Sequence, residues 1–245
     1  MRRFFSSSKN ISGTNISILD KNQVHHIKDV LRLKVDDAAV VFDEQGNEYI
    51  CLIEELQRDK IILKIKEKSR SPGDTGRLRI TVACAIPKHS KMDDIVDKLT
   101  QLGVERIIPL ETERGVIRLG KEKGNLRRLR WQRISQAAAK QCQRNNVTII
   151  EPVKNIKDVL RSCEGHDLKL IATLEGERES LRGVFLKSMP SNILVLVGPE
   201  GDFTHAEIKL AKAAGCEAIS LGNLVLRVET AAIAIASFIR LYEDH

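Results

Sequence analysis

The sequence predicts an α/β fold in which a small β-barrel precedes a parallel sheet with helices on both faces, and three observations carry that expectation. From about residue 78 onward, short aliphatic runs alternate with amphipathic helical stretches, the pattern of parallel strands joined by helices. Ahead of residue 69, strand-like runs follow one another without that helical period. Between the two regions, SRSPGDTG at 69–76 concentrates the Pro, Gly and Ser of a linker. Two domains are therefore expected, 1–70 and 71–245.

In chain order, residues 38–42, 48–53 and 60–65 read as short strands, with Glu44-Gln45-Gly46-Asn47 as a hairpin turn. Beyond the linker, strands are expected at about 78–86, 106–109, 168–174, 193–197 and 217–221. Helices are expected at about 91–102, 125–143, 155–163, 205–214 and 231–242. The run at 193–197 is aliphatic without a break, as a parallel strand buried on both faces requires. Gly103 and Gly215 stand where helix C-termini need a residue tolerant of the left-handed conformation, and Thr204 with Glu207 forms a capping box. The last helix, rich in Ala and Ile, is apolar on much of its circumference and is either core or an interface.

A chain of 245 residues with 42% hydrophobic and 30% charged residues can bury a core. Five cysteines, an odd number with no CxxC pair and none at ligand spacing from a histidine, point to buried thiols in a reducing compartment. Neither a disulfide framework nor a metal site is expected. No apolar run reaches the ~20 residues of a membrane span, and MRRFFSSS lacks the apolar stretch of a signal peptide. A cytoplasmic protein is expected, with no membrane partner.

The net charge of +7 and pI near 9.2 suit a polyanionic partner. Between 114 and 144, ten Lys and Arg face the single acid Glu122, a local +9 that leaves −2 for the rest. Along a helix at 125–143, Arg130, Arg133, Lys140 and Arg144 fall on one arc and Trp131, Ile134, Ala138 and Cys142 on another. One face is expected to pack and the other to attract phosphate without reading sequence, unless it is plain solvated surface.

Two loops are the best candidates for chemistry. Gly198-Pro199-Glu200-Gly201 follows the strand at 193–197, and Leu226-Arg227-Val228-Glu229-Thr230-Ala231 follows the strand at 217–221. Ligands of open α/β sheets bind beyond the carboxyl ends of such strands, where helix N-termini leave free N–H groups. Ordinary βα turns are the alternative. The chain has neither G-x-G-x-x-G after its first α/β strand nor G-x-x-x-x-G-K-[ST]. What the loops offer is a cavity of backbone amides and aliphatic walls from Leu174, Gly198, Gly201, Leu221, Gly222, Leu224 and Leu226. That suits an adenine ring with a thioether or sulfonium chain better than a triphosphate.

GPEGDFTHAE at 198–207 and LGNLVLRVETA at 221–231, with KMDDIVDKLTQLGVERIIPL at 91–110 and AAKQCQR at 138–144, resemble the RsmE family of 16S rRNA uridine-N3 methyltransferases, of the SPOUT superfamily. RRFF at 2–5 and HHIKDVLRLKVDD at 25–37 extend the likeness to the family's RNA-binding barrel, so nearly the whole chain is covered. The chain departs from the family pattern at Asp202, often glycine, Lys140, often glutamate, and Thr148, often proline. The resemblance implies a PUA-like barrel at 1–70 and a SPOUT methyltransferase domain with a C-terminal trefoil knot at 71–245. It implies S-adenosyl-L-methionine as cofactor, held by Leu174, Gly198, Pro199, Glu200, Gly201, Leu221, Gly222, Leu224, Leu226 and Ala231. It also implies 16S rRNA or the small ribosomal subunit as partner, met by Arg2, Arg3, Arg114, Arg130, Arg133, Lys140, Gln141 and Arg144, and a homodimer with the site near the subunit boundary.

Uridine N3 is an imide N–H, so its methylation needs the proton removed and the charge on the ring carbonyls stabilised. Arg227 is the expected catalytic residue, since guanidinium stays charged and offers several donors. Its alternative is a salt bridge to Glu200 or Glu229 that holds the loops together. Glu229 is either a base or a first-turn acid favoured by the helix dipole. Glu200 is expected to position loops or the neighbouring subunit. His25 and His26 belong to the small barrel as packing or RNA-surface residues, and His89 and His205 are expected to be exposed. Two other functions stay open: a SPOUT methyltransferase for a ribose 2′-O or another base, and a non-catalytic RNA-binding ribosome assembly factor.

Overall fold

The computed structural model describes residues 2–43, 46–70, 78–88, 91–142, 144, 146–187 and 190–243. The chain divides into two compact units, residues 1–75 with 139–147, and residues 76–138 with 148–245.

The first unit is one curled six-stranded sheet. Its strands are β1 (Arg2–Phe5), β2 (Ile11–Ser12), β3 (Asn15–Ile18), β4 (Ala38–Phe42), β5 (Asn47–Leu56) and β6 (Ile61–Arg70), in the order β1-β4-β5-β6-β3-β2. Only β1 and β4 pair in parallel. Alternation along β5 turns Tyr49, Cys51 and Ile53 inward, where they meet Phe4, Ile16, Ile18, Val41, Ile61 and Leu63. Register shifts at Ile50/Cys51 and Ile53/Glu55 increase the local twist that curls the sheet. A short helix, α1 (Lys21–His25), capped by the Asp20 side chain, contributes Val24 to this core. A second cluster joins Phe42 to Ala139 and Val147, with the Phe5 ring edge-on to Phe42 at 5.7 Å. The sequence assigns 139–147 to the second domain; in the structure it packs with the first unit. β6 also runs through residues 69 and 70, which the sequence assigns to the linker. Residues 71–77 of that stretch, and Glu44 and Gln45 of the expected turn, lie outside the described residues; Gly46 has φ +79°.

The second unit comprises β7 (Arg79–Ala85), α2 (Lys91–Gln101), β8 (Arg106–Glu111), α3 (Lys121–Gln141), β9 (Ile149–Ile150), β10 (Lys154–Asn155), α4 (Ile156–Arg161), β11 (Leu168–Ala172), β12 (Glu179–Ser180), α5 (Leu181–Lys187), β13 (Asn192–Val197), α6 (His205–Ala213), β14 (Glu217–Ser220) and α7 (Val228–Glu243); the last turn of α3 belongs to the first unit. Its sheet is parallel throughout, in the order β10-β8-β7-β13-β11-β14-β12, with β9 beside β8. Side chains alternate between the two faces. Ile80, Val82, Ile193, Val195 and Leu170 meet α2, α5, α7 and Trp131 of α3, whereas Ala83, Leu194, Leu196 and Ile171 meet α4 and α6. That double covering is why 193–197 carries no polar residue.

Helix α7 begins three residues earlier than expected, at Val228. Its buried residues, Val228, Ala231, Ala232, Ile235, Ala236 and Ile239, recur at three- and four-residue spacing, so one face is core. Near its end, Arg240 donates from Nε to the carbonyl of Leu102 (3.0 Å) and from Nη2 to that of Gly103 (2.5 Å), closing the C-terminus of α2. Gly103 has φ +80°, and a Cβ there would stand 2.9 Å from Arg240 Nε. All five cysteines are free; four are buried, and Cys142 is half-exposed. Burial pushes the Cys51, Cys84 and Cys216 thiols up to about 12. Among the described residues, no helix is long and apolar enough to cross a membrane.

Arg240→Ala removes charged donors from two helix-end carbonyls and takes the ion-pair partner from Glu243, which keeps only the Leu78 N–H. Its unfolding free energy in urea should fall by about 2–3 kcal/mol; a midpoint equal to wild type would show that water satisfies those carbonyls equally well.

Candidate functional site

Strands β13, β11 and β14 are neighbours, so the loops leaving their carboxyl ends meet. They enclose a cleft of about 530 Å³, partly open to solvent. Nine of the ten residues expected around a cofactor line it: Leu174, Gly198, Pro199, Glu200, Leu221, Gly222, Leu224, Leu226 and Ala231. Gly201 does not; its carbonyl points away to Arg114. Thr173, Arg178, Asp202 and Val225 also line the cleft and were not expected there.

The 198–204 loop is fixed from several sides. Asp202 N donates to the Pro199 carbonyl (2.9 Å), closing a turn that puts Asp202 at φ +61°. Its carboxylate accepts from Thr173 Oγ1 (2.9 Å) and Leu174 N (2.7 Å) through one oxygen and from Phe203 N (2.8 Å) through the other. Arg114 Nη1 donates to the carbonyls of Gly201 (2.9 Å) and Phe203 (3.2 Å), and lies 3.9 Å from Glu175. The expected capping box of Thr204 and Glu207 opens α6, and Glu207 also accepts from Glu113 N (2.9 Å). The two cleft glycines serve different needs. At Gly198 a Cβ would stand 2.9 Å from the buried Phe203 ring, so space is limiting. Gly222 has open space but φ +102°, so conformation is limiting.

Arg227 is exposed at the N-cap of α7, its carbonyl accepting from Ala231 N (2.9 Å), and forms no ion pair among the described residues. The alternative salt bridge, to Glu200 or Glu229, is therefore not made. Glu229 instead pairs with Lys91 at 2.6 Å, and its Oε2 is buried without a hydrogen-bond partner. Burial pushes the Glu229 carboxyl up, but the Lys91 hydrogen bond and the charges of Lys91 and Arg227 prevail and hold it below the usual carboxylate range. A carboxylate so stabilised is a weak base, better suited to anchoring the first turn of α7.

The four cations expected on one arc of α3 have different surroundings. Trp131 and Ala138 are buried and Ile134 packs on the core, as expected. Arg130, however, is ion-paired to Asp93, whose other oxygen accepts from Trp131 Nε1 (3.1 Å). Lys140 is half-buried, and burial lowers its pKa against the opposing charge of Asp20. Arg144 lies beyond the helix end. The acid that pairs with Arg130, Asp93, comes from distant sequence. Arg114, Arg118, Lys121, Lys123, Arg127, Arg130 and Arg133 are exposed in this region, with Gln141 exposed near the helix end. In the first unit, Arg2 donates to the Leu31 carbonyl (3.1 Å); Arg3 pairs with Glu48 (3.3 Å) and lies over the Phe42 ring. His25 bonds Asp29 at 2.6 Å, His26 is exposed, and His205 is exposed 4.0 Å from Glu175. His89 lies outside the described residues. Among those described, no group of three His, Cys, Asp or Glu could hold a metal ion.

Residues 74–240 match the RNA methyltransferase domain family, and residues 19–66 match the RNA methyltransferase PUA domain. The chain is 33% identical to the ribosomal RNA small subunit methyltransferase E of Rickettsia conorii, covering 99% of this chain and 96% of that one. It is 29% identical to the protein of the same name from Bacillus subtilis, covering 89% and 86%. The crystal structure of the Neisseria gonorrhoeae ribosomal RNA small subunit methyltransferase E bound to S-adenosyl methionine superimposes with a TM-score of 0.84 at 28% identity, covering 99% of this chain and 98% of that one.

Gly198→Val should lower the unfolding free energy by about 3 kcal/mol, because its side chain would press on the fully buried Phe203 ring, 2.9 Å from where the Cβ would stand. Gly222→Ala should lose only about 1–2 kcal/mol, from strain at positive φ. Thermal and urea unfolding of both variants checks this ranking, and a Gly198→Val protein as stable as wild type overturns it.

Proposed function

Because the chain belongs to the ribosomal RNA small subunit methyltransferase E family, we propose that it transfers a methyl group from S-adenosyl-L-methionine to N3 of a uridine in the 16S rRNA of the small ribosomal subunit. The observation that carries this reading is the cleft beyond β11, β13 and β14, with its aliphatic walls and exposed loop backbone. Leu174, Leu221, Leu224 and Leu226 offer an apolar slot for an adenine, and the glycines and backbone groups of 198–201 and 221–222 offer polar recognition at the rim. A non-catalytic assembly factor has no use for such a cleft.

When bound, S-adenosyl-L-methionine supplies an electrophilic sulfonium methyl. In this reading Arg227 donates to the uracil carbonyls as N3 loses its proton; its position between the cleft residues Leu226 and Val228, with no ion pair among the described residues, supports that role. Glu229 acts through Lys91 to fix the helix start from which Arg227 projects. The exposed cations Arg118, Lys121, Lys123, Arg127 and Arg133 serve to bind phosphates. A cytoplasmic homodimer completes the reading: α7 has a second face outside the core, with Leu241 exposed near its end.

Arg227→Ala should lower single-turnover methylation by about 10²–10³ at saturating cofactor and RNA, with little effect on either affinity. Arg227→Lys should recover only part of that loss. A near wild-type rate for Arg227→Ala would take the residue out of the mechanism. Mapping methylated nucleotides in rRNA from a strain lacking the gene, with and without complementation, decides between uridine N3 and a ribose 2′-O or other base.

Replacing Arg127 and Arg133 by alanine should reduce the salt slope of RNA affinity by about 1 for each phosphate that is no longer neutralised. An unchanged slope would return this surface to plain solvation.

A further inference from the structure

The cleft wall contains a carboxylate whose charge no protein cation balances. Asp202 is only 8% exposed, lines the cleft, and forms no ion pair among the described residues. Arg178, the cation of the same wall, donates instead to the Thr173 carbonyl (3.2 Å). The donors to Asp202 are neutral, namely Thr173 Oγ1, Leu174 N and Phe203 N, so they stabilise its negative charge without cancelling it. Buried charges in proteins are ordinarily paired. The left-handed φ of +61° favours glycine and, among other residues, Asp and Asn, so the backbone accounts for a short polar side chain here but not for its charge, which Asn would lack.

We propose that Asp202 is a specificity-determining residue that makes the cleft select the cationic cofactor over its neutral demethylated product. The inference rests on the cofactor reading above. S-adenosyl-L-methionine carries a sulfonium and an ammonium against one carboxylate, a net positive charge; S-adenosylhomocysteine has a neutral thioether and no net charge, with nearly the same shape. A largely buried carboxylate in the cleft wall therefore attracts the first and is close to indifferent to the second. The same carboxylate orders Leu174 through its N–H, but that hydrogen bond serves both ligands alike and cannot tell them apart.

Calorimetric titration of the full-length protein with each ligand separates charge from shape. In Asp202→Asn, the Kd for S-adenosyl-L-methionine should rise about tenfold while that for S-adenosylhomocysteine moves less than about twofold; in Asp202→Gly, which also loses the hydrogen bonds to Thr173, Leu174 and Phe203, both Kd values should rise, but the preference should again fall about tenfold. Glycine fits the left-handed backbone and guards against a folding defect in the asparagine variant. On the wild-type protein, an analogue with an ammonium-bearing carbon in place of the sulfonium should bind more tightly than the neutral thioether. Equal weakening of both ligands in the variants, or no preference for the ammonium analogue, overturns the inference and leaves the cofactor reading standing. Failure of the wild-type protein to bind either ligand at millimolar concentration overturns both.

Discussion

The second unit is governed by one constraint: its central parallel strands are covered by helices on both faces. Residues 193–197 of β13 are all buried, alternating between a layer of α2, α3, α5 and α7 and a layer of α4 and α6. Nothing polar can be placed along such a strand without losing its hydration. Groups able to bind or react are therefore driven to the strand ends, and because β13, β11 and β14 lie side by side their loops must share one space. The position of the cleft follows from the apolar character of the strands beneath it.

What makes that space a shaped cleft is hydrogen bonding among the loops. Arg114 grips the carbonyls of Gly201 and Phe203 from one side, while Asp202 collects the donors of Thr173 and Leu174 from the other. Glu207 serves at once as helix cap and as acceptor for Glu113 N. Each of these side chains holds backbone belonging to a different loop, so the loops are ordered together, which lowers the conformational entropy a ligand would otherwise have to remove on binding. Arg114, expected from the sequence to meet phosphate, is thereby part of the cleft's support.

The alternation of strands and helices was legible because it rests on period, and period survives tertiary context: the expected strands and helices of the second unit all form, with ends shifted by a few residues. The two-residue strands β9, β10 and β12 had no period to show, and α5 is barely two turns long. β1–β3 are similarly short and owe their pairing to partners remote in sequence. Nine cleft residues were legible as a loop motif, but Asp202 was not, since its meaning depends on Thr173 and Leu174, about thirty positions upstream. The basic surface was illegible for the same reason. Arg130 is paired with Asp93 and Arg3 with Glu48, and no helical wheel of 125–143 contains those acids. Nor could the sequence separate Gly198, where room is short, from Gly222, where the dihedral angle is unusual.

The distribution of the cysteines gives this protein a built-in handle for spectroscopy. Four thiols are buried, and three of those are pushed far from thiolate formation at neutral pH, so they resist alkylation while the fold holds. Cys142 alone is half-exposed, just past the end of α3 in the 139–147 segment that packs with the first unit. A maleimide dye added to the unaltered protein would thus report from one place. That place lies where the chain, having left the first unit, briefly rejoins it, and a label there would sense events in the N-terminal sheet although more than half the chain precedes it.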